Sequence, residues 1–227
     1  MRSLLALLCL AGAAQAGELI HEDFNGPALP AGWETGGRAN CWTVVEGVLQ
    51  GVCEKTDDHG PAVFVPVTGH DMTFSYKVKL DDMGNCLVLL DGDSAFGGSA
   101  HLLRVSIYNS VLVLAQDRGT PQSHIDQAAA KRAGKPVTAP TAEQLADPKF
   151  YRTERLAMTK LGTLKPGDWI KLDVQVTGND VTATINDKEK VQAKGTVFDV
   201  PKSRLVFLVG QGKKVWVDEV RVSTPEK

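Results

Sequence analysis

Apolar and polar residues alternate in short runs along most of the chain. In residues 72–80, Met72, Phe74, Tyr76, Val78 and Leu80 share one face, and Thr73, Ser75, Lys77 and Lys79 share the other. Residues 169–177 repeat the pattern, with Ile170, Leu172, Val174 and Val176 opposite Trp169, Lys171, Asp173 and Gln175. A period of two with one apolar face is what a strand needs when one side packs and the other meets water. Similar β-rich runs predict strands at 18–24, 42–45, 48–53, 61–66, 85–91, 101–108, 111–117, 180–186, 189–194, 203–210 and 214–223. Glu46-Gly47, Gly178-Asn179 and Asn186-Asp187 supply the tight turns between neighbours. So many strands exceed one flat sheet, which predicts an all-β sandwich of two antiparallel sheets packed face to face.

Residues 118–163 break the alternation and read as a partly helical insertion. Ser123 to Asp126 predicts a capped start for a short helix running to Arg132, with Gly134 and Pro136 ending it, and a second short helix starts at Thr141. Eight Lys or Arg face four acids in this stretch, so it is net positive in a chain of formal charge −2. A long insertion within a compact domain is usually functional or disordered. A lid over a ligand face and a surface excursion are both open readings.

The ends and the composition narrow the setting. Arg2, the apolar run Leu4 to Leu10 and Ala14-Gln15-Ala16 form an export signal with a cleavage site before Gly17. Residues 1–16 are therefore a signal peptide and 17–227 a single sandwich domain, secreted or periplasmic. Leu8 stands before Cys9 where lipid attachment needs a small residue. No later stretch is long and apolar enough for a spanning helix, so membrane insertion is not expected. A near-neutral chain without a basic footprint argues against nucleic acid as partner. Export permits disulfides. Cys41 and Cys53 flank the hairpin around Gly47, which predicts a cross-hairpin bridge, with two buried free thiols as the alternative. Cys86, in an apolar run, reads as core.

Three stretches, HEDFNGPALPAGW, NCWTVVEGVLQG and VWVDEVRV, resemble the concanavalin A-like lectin and glucanase superfamily. KTDDHG, SAHLLRVSIYNSVLVLAQD and LKPGDWIKLDVQVTGNDVTATIND extend the resemblance to its 3-keto-disaccharide hydrolase-like family. The resemblance implies a jelly-roll sandwich and a carbohydrate partner, either a disaccharide or a polysaccharide. It implies no required cofactor. It also implies a structural calcium where the first strand, the early hairpin and the last strand meet, with Asp218 as the best ligand. The family's Asn-Ser-Gly strand is missing: Asn109-Ser110 is followed by Val111. Hydrolysis of a 3-keto-disaccharide or related glycoside is one reading, and a non-catalytic carbohydrate-binding or cell-envelope domain is the other.

Candidate chemistry is sparse. Retaining glycosidases use two closely spaced carboxyl groups, and the Glu-x-Asp-x-(x)-Glu string of jelly-roll glucanases is absent. The nearest match, Asp91-Gly92-Asp93, reads as a turn at a strand end. His59 and His101 are the candidate acid and base, since histidine exchanges protons near neutral pH. Lys55 and Arg104 could hold sugar oxygens, with Tyr108, Trp42 and Asp117 as further binding candidates. Strand alternation places Arg104, Ser106 and Tyr108 on one side and His101 with Leu103 on the other. Cysteine and histidine spacing contains no zinc pattern. The exported protein is expected to begin at Gly17. Mass spectrometry of protein from its native host checks this, and an intact Met1 would overturn the export reading.

Overall fold

The computed structural model describes residues 17–225 apart from 58–59, 83–85, 109, 137 and 163, so the expected signal segment 1–16 lies outside the described residues. The strands are β1 (Gly17–Glu22), β2 (Glu34–Gly36), β3 (Trp42–Val45), β4 (Val48–Val52), β5 (Ala62–Gly69), β6 (Met72–Leu80), β7 (Cys86–Asp93), β8 (Ser99–Tyr108) and β9 (Val111–Arg118). Helices α1 (Pro121–Arg132) and α2 (Ala142–Ala146) follow. The chain closes with β10 (Arg152–Lys160), β11 (Trp169–Thr177), β12 (Asp180–Ile185), β13 (Glu189–Lys194), β14 (Lys202–Val209) and β15 (Lys214–Thr224). The second helix starts where the sequence predicts, with Thr141 in a full capping box with Gln144, whereas the cap of α1 lies three residues before the expected Ser123, at Thr120, which accepts Ser123 N–H. Among the described residues, no helix is long and apolar enough to cross a membrane.

Two antiparallel sheets form a jelly-roll sandwich. One has the order β13-β12-β11-β6-β15-β4-β3, with β1 also on β15, and the other β10-β9-β8-β7-β14-β5-β2. The alternation read from the sequence is the alternation of burial: Met72, Phe74, Tyr76, Val78 and Leu80 all point inward from β6. Tyr76 meets Phe207 of the other sheet edge to face, with ring centroids 5.4 Å apart. Such inter-sheet aromatic contact adds to the area buried by both rings. Glu46-Gly47 and Asn186-Asp187 take positive φ at both residues, the backbone that two-residue hairpins require.

Three expectations change. The insertion is shorter than 118–163, because β10 pairs with β9 from Arg152↔Arg118 to Lys160↔Val111. It is an edge strand bearing charge, and an extra residue at Leu156 breaks its period of two, so its sequence hides its alternation. The true excursion is 119–151. β2, three residues at the opposite edge, also escaped the pattern.

The cysteine bridge is the third. Cys41, Cys53 and Cys86 are free and buried. The hairpin pairs Trp42 with Gly51, so Cys41 lies across from Val52, whose N–H it accepts at 2.8 Å. Symmetry about Gly47 was therefore wrong by one residue, and a one-residue offset turns the two side chains to opposite faces. Each thiol instead faces a backbone carbonyl, Cys41 that of Gly36 and Cys53 that of Glu54. Burial raises the Cys41 and Cys53 thiols and pushes Cys86 up to about 12, which keeps all three protonated.

Trp42 is core, with 2% of its surface exposed, and its indole N–H donates to Pro61 O at 3.0 Å. The ring lies against Gly51, where an added Cβ would stand 2.7 Å from it. Gly51→Ala should therefore destabilise the sandwich by about 1–3 kcal/mol through overpacking. Gly26→Ala, which meets nothing within 4 Å, should stay within about 0.5 kcal/mol. Urea denaturation of both variants checks this, and equal midpoints would contradict the packing described.

Candidate functional site

In β7, Val88 and Leu90 enter the core, while Leu89 and Asp91 point to the other face of the seven-stranded sheet. Leu89, Ala62 and Val206 form a small apolar cluster on that face. Asp91 is a strand residue, contrary to the turn read from Asp91-Gly92-Asp93, and only 1% of it is exposed. A buried carboxylate is costly unless paired and hydrogen-bonded. Here His101 Nδ1 lies 2.6 Å from Oδ1, and Arg204 reaches Oδ2 through Nε at 3.0 Å and a terminal nitrogen at 2.6 Å.

Backbone irregularities deliver both partners. Leu90 pairs with Leu103 but Asp91 pairs with His101, so Leu102 is an extra residue in β8. On the other side Arg204 pairs with Asp91 and Lys202 with Gly92, so Ser203 is extra in β14. Strict alternation would have left His101 on the Leu103 side, in the core. The bulge turns it onto the face of Asp91 and Arg104, which corrects the sequence expectation. A carboxylate can only accept, so the contact assigns the imidazole proton to Nδ1 and leaves Nε2 as the basic nitrogen.

One strand further out, Arg104 grips Asp117 with two hydrogen bonds of 2.6 Å. Tyr151 OH donates to Asp117 Oδ2 at 2.8 Å, and Thr153 Oγ1 donates to Oδ1 at 2.7 Å. Burial works to raise the Asp117 carboxyl, but the hydrogen bonds and charge of Arg104 outweigh it and hold the group below the usual range. For Arg104, burial works to lower the guanidinium and Asp117 more than compensates. Burial raises the Tyr151 phenol, which keeps it a donor at neutral pH.

The excursion closes over these pairs. Its ends meet where Gly119, at φ +97°, passes so close to Phe150 and Tyr151 that a Cβ would stand 2.5 Å from their backbone. Ser123 Oγ accepts Tyr151 N–H at 2.9 Å, and Gln127 Nε2 donates to Tyr151 O at 2.9 Å. From α1, the His124 ring stacks on Tyr151 at 4.1 Å and lies edge-on to His101 at 5.6 Å. A cavity of about 150 Å³ results, lined by Asp91, His101, Asp117, Arg118, His124, Tyr151 and Arg204 among others.

His101 and Asp117 thus converge at one end of the sheet, with Arg104 directly behind Asp117. Other expected residues do not join them. His59 lies outside the described residues. Lys55 sits by Gln211 and Gly212, beyond the Cys86 end of β7, opposite the Asp91 end. Tyr108, 38% exposed, closes the β8–β9 hairpin at that same far end. Trp42 is interior, as described above. Asp218 accepts Glu219 N–H, and burial raises its carboxyl above the usual value. The cation beside it is Lys77, its pairing partner on β6, while Arg221 donates to Glu22 O at 3.2 Å and Asp23 at 2.6 Å. Among the described residues, no group of three or more His, Cys, Asp or Glu is placed to hold a metal. Arg221 thus ties β15 to the end of β1 in the corner where the resemblance puts calcium.

The residues missed from sequence are Asp91, His124, Tyr151 and Arg204. Asp91 and Arg204 did leave a signal, since each is a charge directly next to a largely apolar strand run, VLL before Asp91 and LVFLV after Arg204. His124 and Tyr151 lie in the excursion, where no period marks direction.

A model of the 3-keto-alpha-glucoside-1,2-lyase-like domain matches residues 21–223. No curated protein matches the chain. Among solved structures, the chain is similar to LamA from Zobellia galactanivorans, solved in complex with laminaritriose and laminaritetraose. The TM-score is 0.59 at 10% identity, over 92% of this chain and 99% of that one. SCLam, a non-specific endo-beta-1,3(4)-glucanase from family GH16, gives 0.57 at 11% identity, over 92% and 91%. A family 7 alginate lyase, A1-II′, in complex with substrate gives 0.56 at 11%, over 85% and 84%. At such identities the likeness is one of fold.

The Asp117 pairing predicts an acid-sensitive cleft. Its folded value lies below the ordinary 3.8, so its stabilisation is complete above that pH and is lost as the pH falls through the folded value. Asp117→Asn should cost about 3 kcal/mol at pH 7, with the gap to wild type closing below about pH 4. Urea midpoints at pH 7, 5 and 3 check this, and a gap independent of pH would contradict it.

Proposed function

The chain belongs to the 3-keto-alpha-glucoside-1,2-lyase-like family, and from that premise we propose that it cleaves a 3-keto-glucoside outside the cytoplasm, in the cleft between His101 and His124. The observation that carries the reading is the 2.6 Å contact between Asp91 and His101. It fixes the ring and points a basic nitrogen away from the carboxylate. A ketone at C3 of a glucosyl ring acidifies the hydrogen on C2, and removing that hydrogen is work for a base near neutral pH.

In this reading His101 Nε2 takes the C2 proton. The electron pair freed at C2 forms the C1–C2 double bond as the C1–O bond to the aglycone breaks. The departing oxygen takes a proton from His124, beside His101. Negative charge spreads onto the C3 oxygen in the transition state, and the Arg204 guanidinium at the cavity wall is placed to stabilise it. Addition of water across the new double bond would make the net reaction a hydrolysis. Asp91 and Arg204 act as a unit, since the arginine keeps Asp91 an acceptor for His101.

This route explains how a jelly roll of this family could work without the paired acids of a glucanase strand, which the sequence lacks. It also restricts the substrate. An ordinary glucoside has no acidified C2 hydrogen, so the oxidised sugar reacts and its parent does not. Tyr151 and Asp117, fixed by their mutual hydrogen bond and by Arg104, set the shape of the cleft wall against which the ring sits.

The test uses protein lacking residues 1–16 and 4-nitrophenyl 3-keto-α-glucoside. Wild type should release nitrophenolate and leave an unsaturated 3-keto sugar or its hydrate, with no action on 4-nitrophenyl α-glucoside. His101→Gln should lower kcat about 10²–10⁴-fold with an unchanged melting temperature. Full activity in His101→Gln would overturn the role given to this residue. Binding of the keto-glucoside without turnover would make the protein a carbohydrate-binding module instead.

A further inference from the structure

A second and larger cavity, about 740 Å³, opens on the other side of His124 and Tyr151, which line both spaces. The end of α1 and the chain after it form its walls, and Lys131, Arg132 and Lys135 all face it. No acidic side chain lines it. Among the described residues, none of these three cations has a carboxylate within ion-pair distance. Lys131 and Arg132 lie in the last turn of α1, where cations also suit the helix dipole. Lys135 is past the helix, so the dipole does not account for it. Pro136, Pro140 and Phe150 give the same cavity an apolar side. The flank of the cleft away from α1 is more acidic, with Asp93, Asp117 and Asp199 against the single cation Arg118 around a space of about 270 Å³.

We propose that the cavity beside α1 is an aglycone subsite selecting an aglycone that carries a carboxylate. The inference rests on the cleavage reading in one respect: His124, assigned to protonate the departing oxygen, is the wall shared by the two cavities. A group leaving past His124 therefore enters the space lined by the three cations. Clustered charges of one sign in a concave wall raise the local concentration of an oppositely charged ligand. The apolar side receives the body of the aglycone and the cations receive its acid group. The acidic flank across the cleft disfavours the reverse placement.

The experiment compares two 3-keto-α-glucosides whose aglycones are 3-carboxy-4-nitrophenol and its methyl ester, near-equal in shape and differing in charge. Wild type should favour the acid at least tenfold in kcat/KM, mostly through KM, and the ratio should shrink as salt rises from 0.05 to 0.5 M. In the Lys131→Gln/Arg132→Gln/Lys135→Gln variant the ratio should fall close to one. Calorimetry with free 3-carboxy-4-nitrophenol and its methyl ester gives the same comparison without turnover. The acid should bind wild type at least tenfold tighter than the ester, and the triple variant should lose the difference. Equal binding and equal kcat/KM for acid and ester in wild type would overturn the subsite. Tighter binding of the acid with no turnover of either glucoside would uphold the subsite and overturn the cleavage reading alone.

Discussion

Asp91 is a carboxylate withdrawn from water, and the end of the seven-stranded sheet is organised around keeping it satisfied. Leaving such a group unpaired would cost several kcal/mol, so both neighbouring strands bend to bring it partners. β8 gains Leu102 and presents His101, and β14 gains Ser203 and presents Arg204. Gly92, the next residue, permits the close approach this needs: a Cβ there would stand 2.3 Å from Pro201 O and 2.6 Å from Leu102. The cleft is therefore no accident of loops. It is the shape a sheet takes when three adjacent strands must meet at one buried charge.

Asp117 repeats the arrangement one strand outward, with a further consequence. Its partners come from β8, from β10 and from Tyr151 at the end of the excursion. The charge pair thus fastens the excursion to the sheet, and His124 rides with it because its ring stacks on Tyr151. Arg104, expected to meet ligand directly, spends its guanidinium on Asp117 and Tyr151 instead. Its contribution is to hold the rim of the cleft in place.

What was legible in the sequence was whatever depends on period. Strands such as β6 and β11 announce themselves because each buries one face completely, and the start of α2 because a hydroxyl cap is a local feature. The losses come from single-residue slips, which leave no mark in composition. The extra Leu102 changed the face of His101, the extra Leu156 concealed β10, and a one-residue shift parted Cys41 from Cys53. Trp42 failed for another reason. An aromatic in an exposed-looking hairpin suggests a sugar platform, but Gly51 opposite it leaves space for the ring to turn inward.

The solved structures that share this sandwich do so at about one residue in ten, which is what a fold set by burial pattern allows. The apolar faces of two sheets can be filled by many combinations of Val, Leu, Ile and Phe, so the scaffold survives wholesale replacement. A catalytic strand does not. Paired carboxylates a few ångströms apart protonate a glycosidic oxygen and attack the sugar carbon, whereas one carboxylate bound to a histidine and an arginine makes a base and an electrostatic wall. The first arrangement serves an intact acetal. In the proposed reading, the second serves a sugar whose ring has already been oxidised and whose neighbouring hydrogen is loose. On that reading, the absence of a glucanase motif and the presence of the Asp91–His101–Arg204 cluster belong together, with function residing in the groups grafted onto the sheet and not in the sheet itself.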